Sequence, residues 1–99
     1  MIMQIHVLPD PVGTADDVYR NVDRAIAEIT ASGLTYEVGA MGTTVEGPPD
    51  AVWELARRVH DATRAADTRR VMTLIKMYES PGSETSMTAL TEPFRTPAP

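Results

Sequence analysis

Residues Gly33-Leu34-Thr35-Tyr36-Glu37-Val38-Gly39-Ala40-Met41-Gly42-Thr43-Thr44-Val45-Glu46-Gly47 constrain the fold more than any other part of the chain. They compress a helix stop, two short strands and the connection between them into one unbroken run. Gly33 supplies a residue that can turn left-handed just past a helix end. Leu34 to Val38 reads as one strand and Thr43 to Glu46 as the next, with Gly39 and Gly42 flanking the link, where a bend or bulge is expected.

The flanking segments extend this pattern. Residues 2–8 alternate, with Met3, Ile5 and Val7 on one side and Ile2, Gln4, His6 and Leu8 on the other, as the two-residue strand period requires. Pro9, Pro11 and Gly13 end that strand. Thr14 is placed to cap a helix with Asp16 and Asp17 in its first turn. Along it Val18, Val22, Ala25, Ile26 and Ile29 make one apolar face. Gly47-Pro48-Pro49-Asp50 opens a second helix. Its buried stripe is Val52, Leu55, Ala56, Val59, Ala62 and Ala66. Arg69 to Tyr78 is the last strand.

The order βαββαβ predicts an α+β, ferredoxin-like fold, with two helices on one face of a four-stranded antiparallel sheet. The domain is expected over residues 1–78. A Pro/Ser/Thr-rich tail follows over 79–99, with Ser86 placed to cap a short helix near 86–90 and a frayed end carrying Pro93, Pro97 and Pro99.

Bulk properties narrow the function. Ninety-nine residues make a single domain, and one of this size buries only about 60–70% of its unfolded surface, so a subunit partner would help it. The net charge of −5 argues against a nucleic-acid binder and suits a cationic small ligand weakly. The absence of cysteine excludes disulfides, thiolate metal sites and a cysteine nucleophile. The N-terminus lacks the basic and apolar regions of a signal peptide or membrane span, so cytoplasm is the expectation. No phosphate-binding glycine loop, dinucleotide fingerprint or nucleophile elbow is present.

With both helices on one side, the other sheet face is left bare. It should carry Gln4, His6, Leu8, Met72, Leu74, Lys76 and Tyr78, a surface suited to a subunit interface, a ligand platform or both. Thr44 and Glu46 leave the third strand on one face, opposite Thr43 and Val45. Glu46 can accept from, or when protonated donate to, a polar ligand; alternatively it pairs across strands with Lys76. Tyr36 either stacks on a flat heterocycle or faces the helices as a core residue. Met41 either lines an apolar slot or fills a gap. Gly39 and Gly42 serve the turn or let a ligand approach the backbone. His6, on the bare face, is an interface hydrogen-bonder or a ligand contact. His60 belongs to the less buried stripe of the second helix. The two histidines lie on different layers, so no shared metal site is expected.

Across residues 3–78 the chain resembles the thiamine-binding-protein family. The resemblance rests on the opening strand into Pro9, Tyr19, the helix into Ser32-Gly33-Leu34, and Tyr36. Met41-Gly42-Thr43 with Glu46-Gly47, then His60, and Arg70-Val71 with Thr73 and Ile75-Lys76, complete it. It implies a ferredoxin-like homo-oligomer, a dimer or tetramer, that carries or senses thiamine or its hydroxymethylpyrimidine part without catalysis. No cofactor and no metal are implied. The ligand region would be Tyr36, Met41, Gly42, Thr43, Thr44 and Glu46, to which the face argument adds His6. Many relatives have proline where this chain has Ala40, and a charged stretch where it has Ser80-Pro81-Gly82-Ser83. With no Asp-rich Mg²⁺ cluster beside a basic patch, free thiamine or its pyrimidine is expected over thiamine diphosphate. Two rivals remain from the residues alone: a cofactor-free enzyme on a dimeric ferredoxin-like fold acting on a small hydrophobic substrate, with His6 as acid–base group, and a module that only oligomerises.

Overall fold

A computed structural model describes residues 1–82 and 86–95. Its elements are β1 (Ile2–Asp10), α1 (Arg20–Ala31), β2 (Thr35–Gly39), β3 (Gly42–Glu46), α2 (Pro49–Ala62), β4 (Arg70–Tyr78) and the short α3 (Met87–Thr91), followed by a 3₁₀ turn at Glu92–Phe94. The sheet is antiparallel with strand order β2-β3-β1-β4. This is the ferredoxin-like arrangement expected from the βαββαβ order.

β1 is central, and its two neighbours use it unequally. β4 pairs with it over its full length, from Ile2↔Tyr78 to Asp10↔Arg70. β3 pairs with it only from Ile2↔Glu46 to Ile5↔Thr43. From His6 to Pro9, then, one edge of β1 has no β3 neighbour. Pro9 is tolerated inside the strand for that reason, since a proline has no N–H to give a ladder. The strand runs two residues past the Leu8 boundary expected from sequence because Pro9 and Asp10 still find Val71 and Arg70 across the sheet.

Met3, Ile5 and Val45 join Ala25 and Ile29 of α1 and Val52, Leu55, Ala56 and Val59 of α2 in one buried cluster. The three- and four-residue spacing of these helix positions creates the stripe that meets the sheet. Fully burying a side chain of this size contributes about 1.5–3 kcal/mol by removal from water.

α1 begins five residues later than the Thr14 cap predicts. Thr14 Oγ1 does accept from Asp17 N at 3.0 Å, but Thr14 N also donates to Asp17 O, closing a local turn instead of starting a helix. Gly13 sits hard against that turn: a Cβ there would lie 2.3 Å from the carbonyl oxygens of Asp17 and Val18. Val18 consequently lies outside the apolar face and is exposed. The helix proper starts where Arg20 N reaches Asp17 O and Asn21 N reaches Val12 O, so loop carbonyls take the first orphan donors. At the other end Gly33 adopts φ 76°, as expected of a glycine past a helix stop. In α2 the buried stripe ends earlier than expected: the helix closes at Ala62, and Ala66 is exposed in the following loop.

Polar contacts tie the start of α1 to the loop before it and to the loop that follows α2. Asn21, fully buried, donates through Nδ2 to Pro11 O at 2.9 Å. Arg20 Nη2 lies 2.6 Å from Asp67 Oδ2. Partial withdrawal from water pushes the Asp67 carboxyl up, but hydrogen bonds from Asn21 and the backbone, with the Arg20 charge, outweigh it and hold the carboxyl below the ordinary 3.8. A lowered folded-state value stabilises the fold above the unfolded value and loses that stabilisation as pH falls through the folded one. Urea midpoints measured between neutral and strongly acidic pH should therefore fall less steeply with acidification in Asp67→Asn than in the parent chain. Parallel curves would remove Asp67 from the acid response.

Candidate functional site

The missing β1–β3 pairing leaves a gap on the helix-bearing side of the sheet, and an apolar cleft fills it. The cleft measures about 330 Å³. Its floor is β1 from Ile5 to Pro9; one wall is Val22, Ile26 and Ile29 of α1, and the other is Val38, Gly39, Ala40, Gly42 and Thr43 at the tip of the β2–β3 hairpin. Val12 and Tyr19, both exposed, stand at its mouth. The hairpin turns through two residues, Ala40 and Met41, between the paired Gly39 and Gly42. Gly42 has φ 144°, and a Cβ there would press on Gln4 and on Ile5 O at 3.3 Å. A Cβ on Gly39 would come within 2.8 Å of Gly42 O. The two glycines thus let the hairpin close tightly enough to form the wall.

The seven residues singled out from sequence divide between two faces. Gly42 and Thr43 line the cleft, Thr43 being 5 % exposed. Tyr36 pairs with Val45 and so takes the helix-side parity of β2, 41 % exposed on an edge strand, and it lines none of the described cavities. His6, Thr44 and Glu46 belong to the opposite face, as their pairing with Leu74, Gln4 and Ile2 requires. His6 borders the cleft at its floor and also a shallow open-face depression of about 270 Å³ that it shares with Gln4, Met41, Leu74, Ile75 and Lys76. Met41, 78 % exposed at the hairpin tip, lines this depression with His6. The structure brings His6 and Met41 together, and Gly42 and Thr43 together, but does not gather all seven.

Glu46 has a different partner from the one expected. The row across the sheet through Lys76 is Thr44–Gln4–Lys76, whereas Glu46 lies in the row with Ile2 and Tyr78. Its Oε2 accepts from Met87 N at 2.9 Å instead of pairing with Lys76. Farther along, Arg95 donates to Glu37 Oε2 at 3.0 Å. Glu37 shares the open face through its pairing with Thr44. The C-terminal segment therefore lies against the β2–β3 side of the face expected to be bare, with Met87 7 % exposed. Ser86 caps α3 by accepting from Ala89 N, and Pro93 lies in the ordered 3₁₀ turn and not in a frayed end. Residues 83–85 and 96–99, including Pro97 and Pro99, lie outside the described residues. The β1–β4 half of the open face keeps Leu8, Met72, Leu74 and Tyr78 exposed.

His60 faces inward more than its stripe predicts. Its Nδ1 lies 2.6 Å from Thr73 Oγ1, joining α2 to the helix-side parity of β4. Among the described residues no three His, Cys, Asp or Glu side chains gather as a metal site, and no helix is long and apolar enough to cross a membrane.

Sequence reasoning treated Val22 and Ile26 as core and assigned Val12 and Tyr19 no place in a site. All four line the cleft. A usable signal was the mismatch between a nine-residue strand and a five-residue neighbour, which leaves part of the longer strand without a partner.

The family model for thiamine-binding proteins matches residues 3–94. The chain belongs to the thiamine-binding protein family. A UPF0045 protein of Clostridium perfringens is 31% identical over 68 residues, 69% of this chain and 72% of that protein. A Bacillus cereus domain of unknown function, DUF77, superposes with TM-score 0.83 at 34% identity, covering 95% of this chain and 88% of its own. A Thermotoga maritima protein provisionally assigned to thiamine biosynthesis or salvage superposes with TM-score 0.69 at 28% identity, covering 95% and 97% of the two chains. The family match runs past β4 into the C-terminal segment that meets Glu46 and Glu37.

Glu46→Ala should release that segment, seen as faster backbone hydrogen exchange at Met87 and quicker proteolysis after residue 86. Glu46→Gln keeps an acceptor oxygen and should stay near the parent. Equal protection in all three proteins would show that the Glu46–Met87 bond does not hold the segment.

Proposed function

We propose that the protein binds thiamine or its hydroxymethylpyrimidine moiety, without catalysis, as a carrier or sensor that works as a homo-oligomer. The observation that carries this reading is the cleft under α1. Its volume of about 330 Å³ stands at the lower end of the range for small-molecule sites, roughly 300–1,000 Å³. A single flat ring suits that volume better than the whole vitamin does. The pyrimidine would enter between the aliphatic side chains of α1 and the β2–β3 hairpin, leaving the thiazolium toward Val12 and Tyr19.

The chemistry of the walls supports this orientation. Val22, Ile26 and Val38 offer apolar surface to a ring, and the Thr43 hydroxyl can donate to a ring nitrogen or accept from an exocyclic amine. Tyr19 presents an aromatic face where a thiazolium would emerge, and the net charge of −5 favours a cation. On this reading the pocket residues are Thr43, Gly42 and Tyr19. Glu46, engaged with Met87 N, serves the C-terminal segment.

Isothermal titration with thiamine and hydroxymethylpyrimidine is the direct test. Both should bind, and Thr43→Val should weaken both by roughly tenfold, the worth of one good hydrogen bond in a dry site. Absence of heat with either compound, from folded protein, would reject the thiamine reading.

The oligomer rests on Leu8, Met72, Leu74 and Tyr78, an apolar patch on the uncovered half of the sheet that a second copy would bury. Leu74→Asp should yield a folded monomer by light scattering where the parent is a dimer or tetramer. A monomeric parent would reject this part of the proposal.

A further inference from the structure

The open face of the sheet has a raised half and a hollow half. Met87 N on Glu46 and Arg95 on Glu37 lay the C-terminal segment over β3 and β2. That segment buries Met87 but leaves Phe94 83 % exposed, with Leu90 half exposed beside it. Over β1 and β4 the surface stays bare, with Leu8, Met72, Leu74 and Tyr78 exposed. Here the shallow depression of about 270 Å³ opens, bordered by His6, Leu74 and Lys76. An exposed phenylalanine and an unfilled apolar hollow thus lie on one face of one molecule. Each leaves apolar surface in water that a partner would cover.

Strand register sets the two at the same height. Glu37, Thr44, Gln4 and Lys76 pair in a single row across all four strands. Arg95, the residue after Phe94, is bonded at the β2 end of this row, and Lys76 borders the depression at its β4 end. The ends stand three strand spacings, or about 14 Å, apart. A two-fold axis parallel to the strands, between two stacked sheets, keeps each row at its height and exchanges its ends. The β2 side of one copy then faces the β4 side of the other, and each raised half meets a hollow half. An axis across the strands would set raised half on raised half. The two segments, each roughly 10 Å thick as a helix is, would then hold the bare halves apart. Charge agrees with the first arrangement. The hollow half carries Lys76, the single lysine of the chain. The segment carries Glu92, exposed, while its Arg95 is already neutralised by Glu37.

We propose that two copies of this chain stack face to face with their C-terminal segments exchanged, Phe94 of each filling the other's depression and Glu92 of each facing the other's Lys76. The proposal rests on the homo-oligomer reading above and adds which surface of the second copy covers the bare half. Phe94 is then the anchor of the interface, an aromatic side chain seated in a pocket, with the Lys76 ammonium placed to lie against its ring. Glu46 and Glu37 gain a task beyond their own chain, since the segment that they hold is the part offered to the partner.

The chain has no cysteine, so introduced cysteines report proximity without background. Lys76→Cys and Glu92→Cys are prepared separately in the full chain, unfolded in urea, refolded as a mixture and treated with a short bismaleimide. Covalent dimers on a denaturing gel should form in the mixture and in neither variant alone. Phe94→Ala, at a position already open to solvent in the single chain, should leave the fold intact and weaken self-association roughly tenfold or more by sedimentation. Links formed by Lys76→Cys alone, or no links in the mixture, from a parent that is oligomeric, overturn the exchange and leave the homo-oligomer reading standing. Unchanged self-association of Phe94→Ala also overturns the exchange. A monomeric parent overturns both.

Discussion

The pairing of β1 with β3 stops at Ile5↔Thr43, and much of the molecule follows from that limit. β4 continues along β1 to Asp10, so the sheet is complete on one flank and open on the other. Strand hydrogen bonds that end early cannot be replaced by a proline, and Pro9 occupies the open stretch without leaving a donor unmet. α1 passes over this stretch with Val22 and Ile26 only half-buried, because no β3 side chain rises to meet them. The cleft is thus a by-product of unequal strand lengths, bounded by a hairpin that Gly39 and Gly42 allow to close tightly.

The two faces of the sheet divide the work. The helix side holds the core and, where the core is incomplete, the cleft. The other side is shared between the C-terminal segment over β2–β3 and an exposed apolar half over β1–β4. Glu46 and Glu37 hold the segment through Met87 N and Arg95. A carboxylate that accepts a backbone N–H beside a buried methionine has a structural task already. It is a weaker candidate for ligand recognition than an alternating strand pattern alone makes it. The chain belongs to the thiamine-binding protein family, and the proposed ligand and its orientation in the cleft draw on that membership and on the wall chemistry of Thr43 and Tyr19.

Much of the fold was legible in the residues because it is written in periodicity. Met3, Ile5 and Val45 at alternate positions, and Val52, Leu55, Ala56 and Val59 at three- and four-residue steps, define their buried faces before any contact is known. Gly33 announces its φ of 76° through its place after a helix. The start of α1 was misread because Thr14 satisfies a capping contact inside a turn that then closes on itself, and a cap says nothing about whether the next turn continues. The candidate site was less legible. Parity separated Thr43 from Thr44 and Glu46 correctly, but it could not show which face carries a cavity.

The sequence by itself determined the βαββαβ order, the helix-side core, the uncovered face with His6, Leu8, Leu74 and Tyr78, and the membership of a thiamine-binding family, since all of these are local in period or in motif. Tertiary structure alone decided the site. Register set where β3 lets go of β1 and so where the cleft opens. Chain return put Met87 on Glu46, 41 residues away. Strand pairing brought Asp10 to Arg69 and Arg70. These are contacts between residues far apart in the chain, formed only when the whole sheet assembles, and no local pattern encodes them.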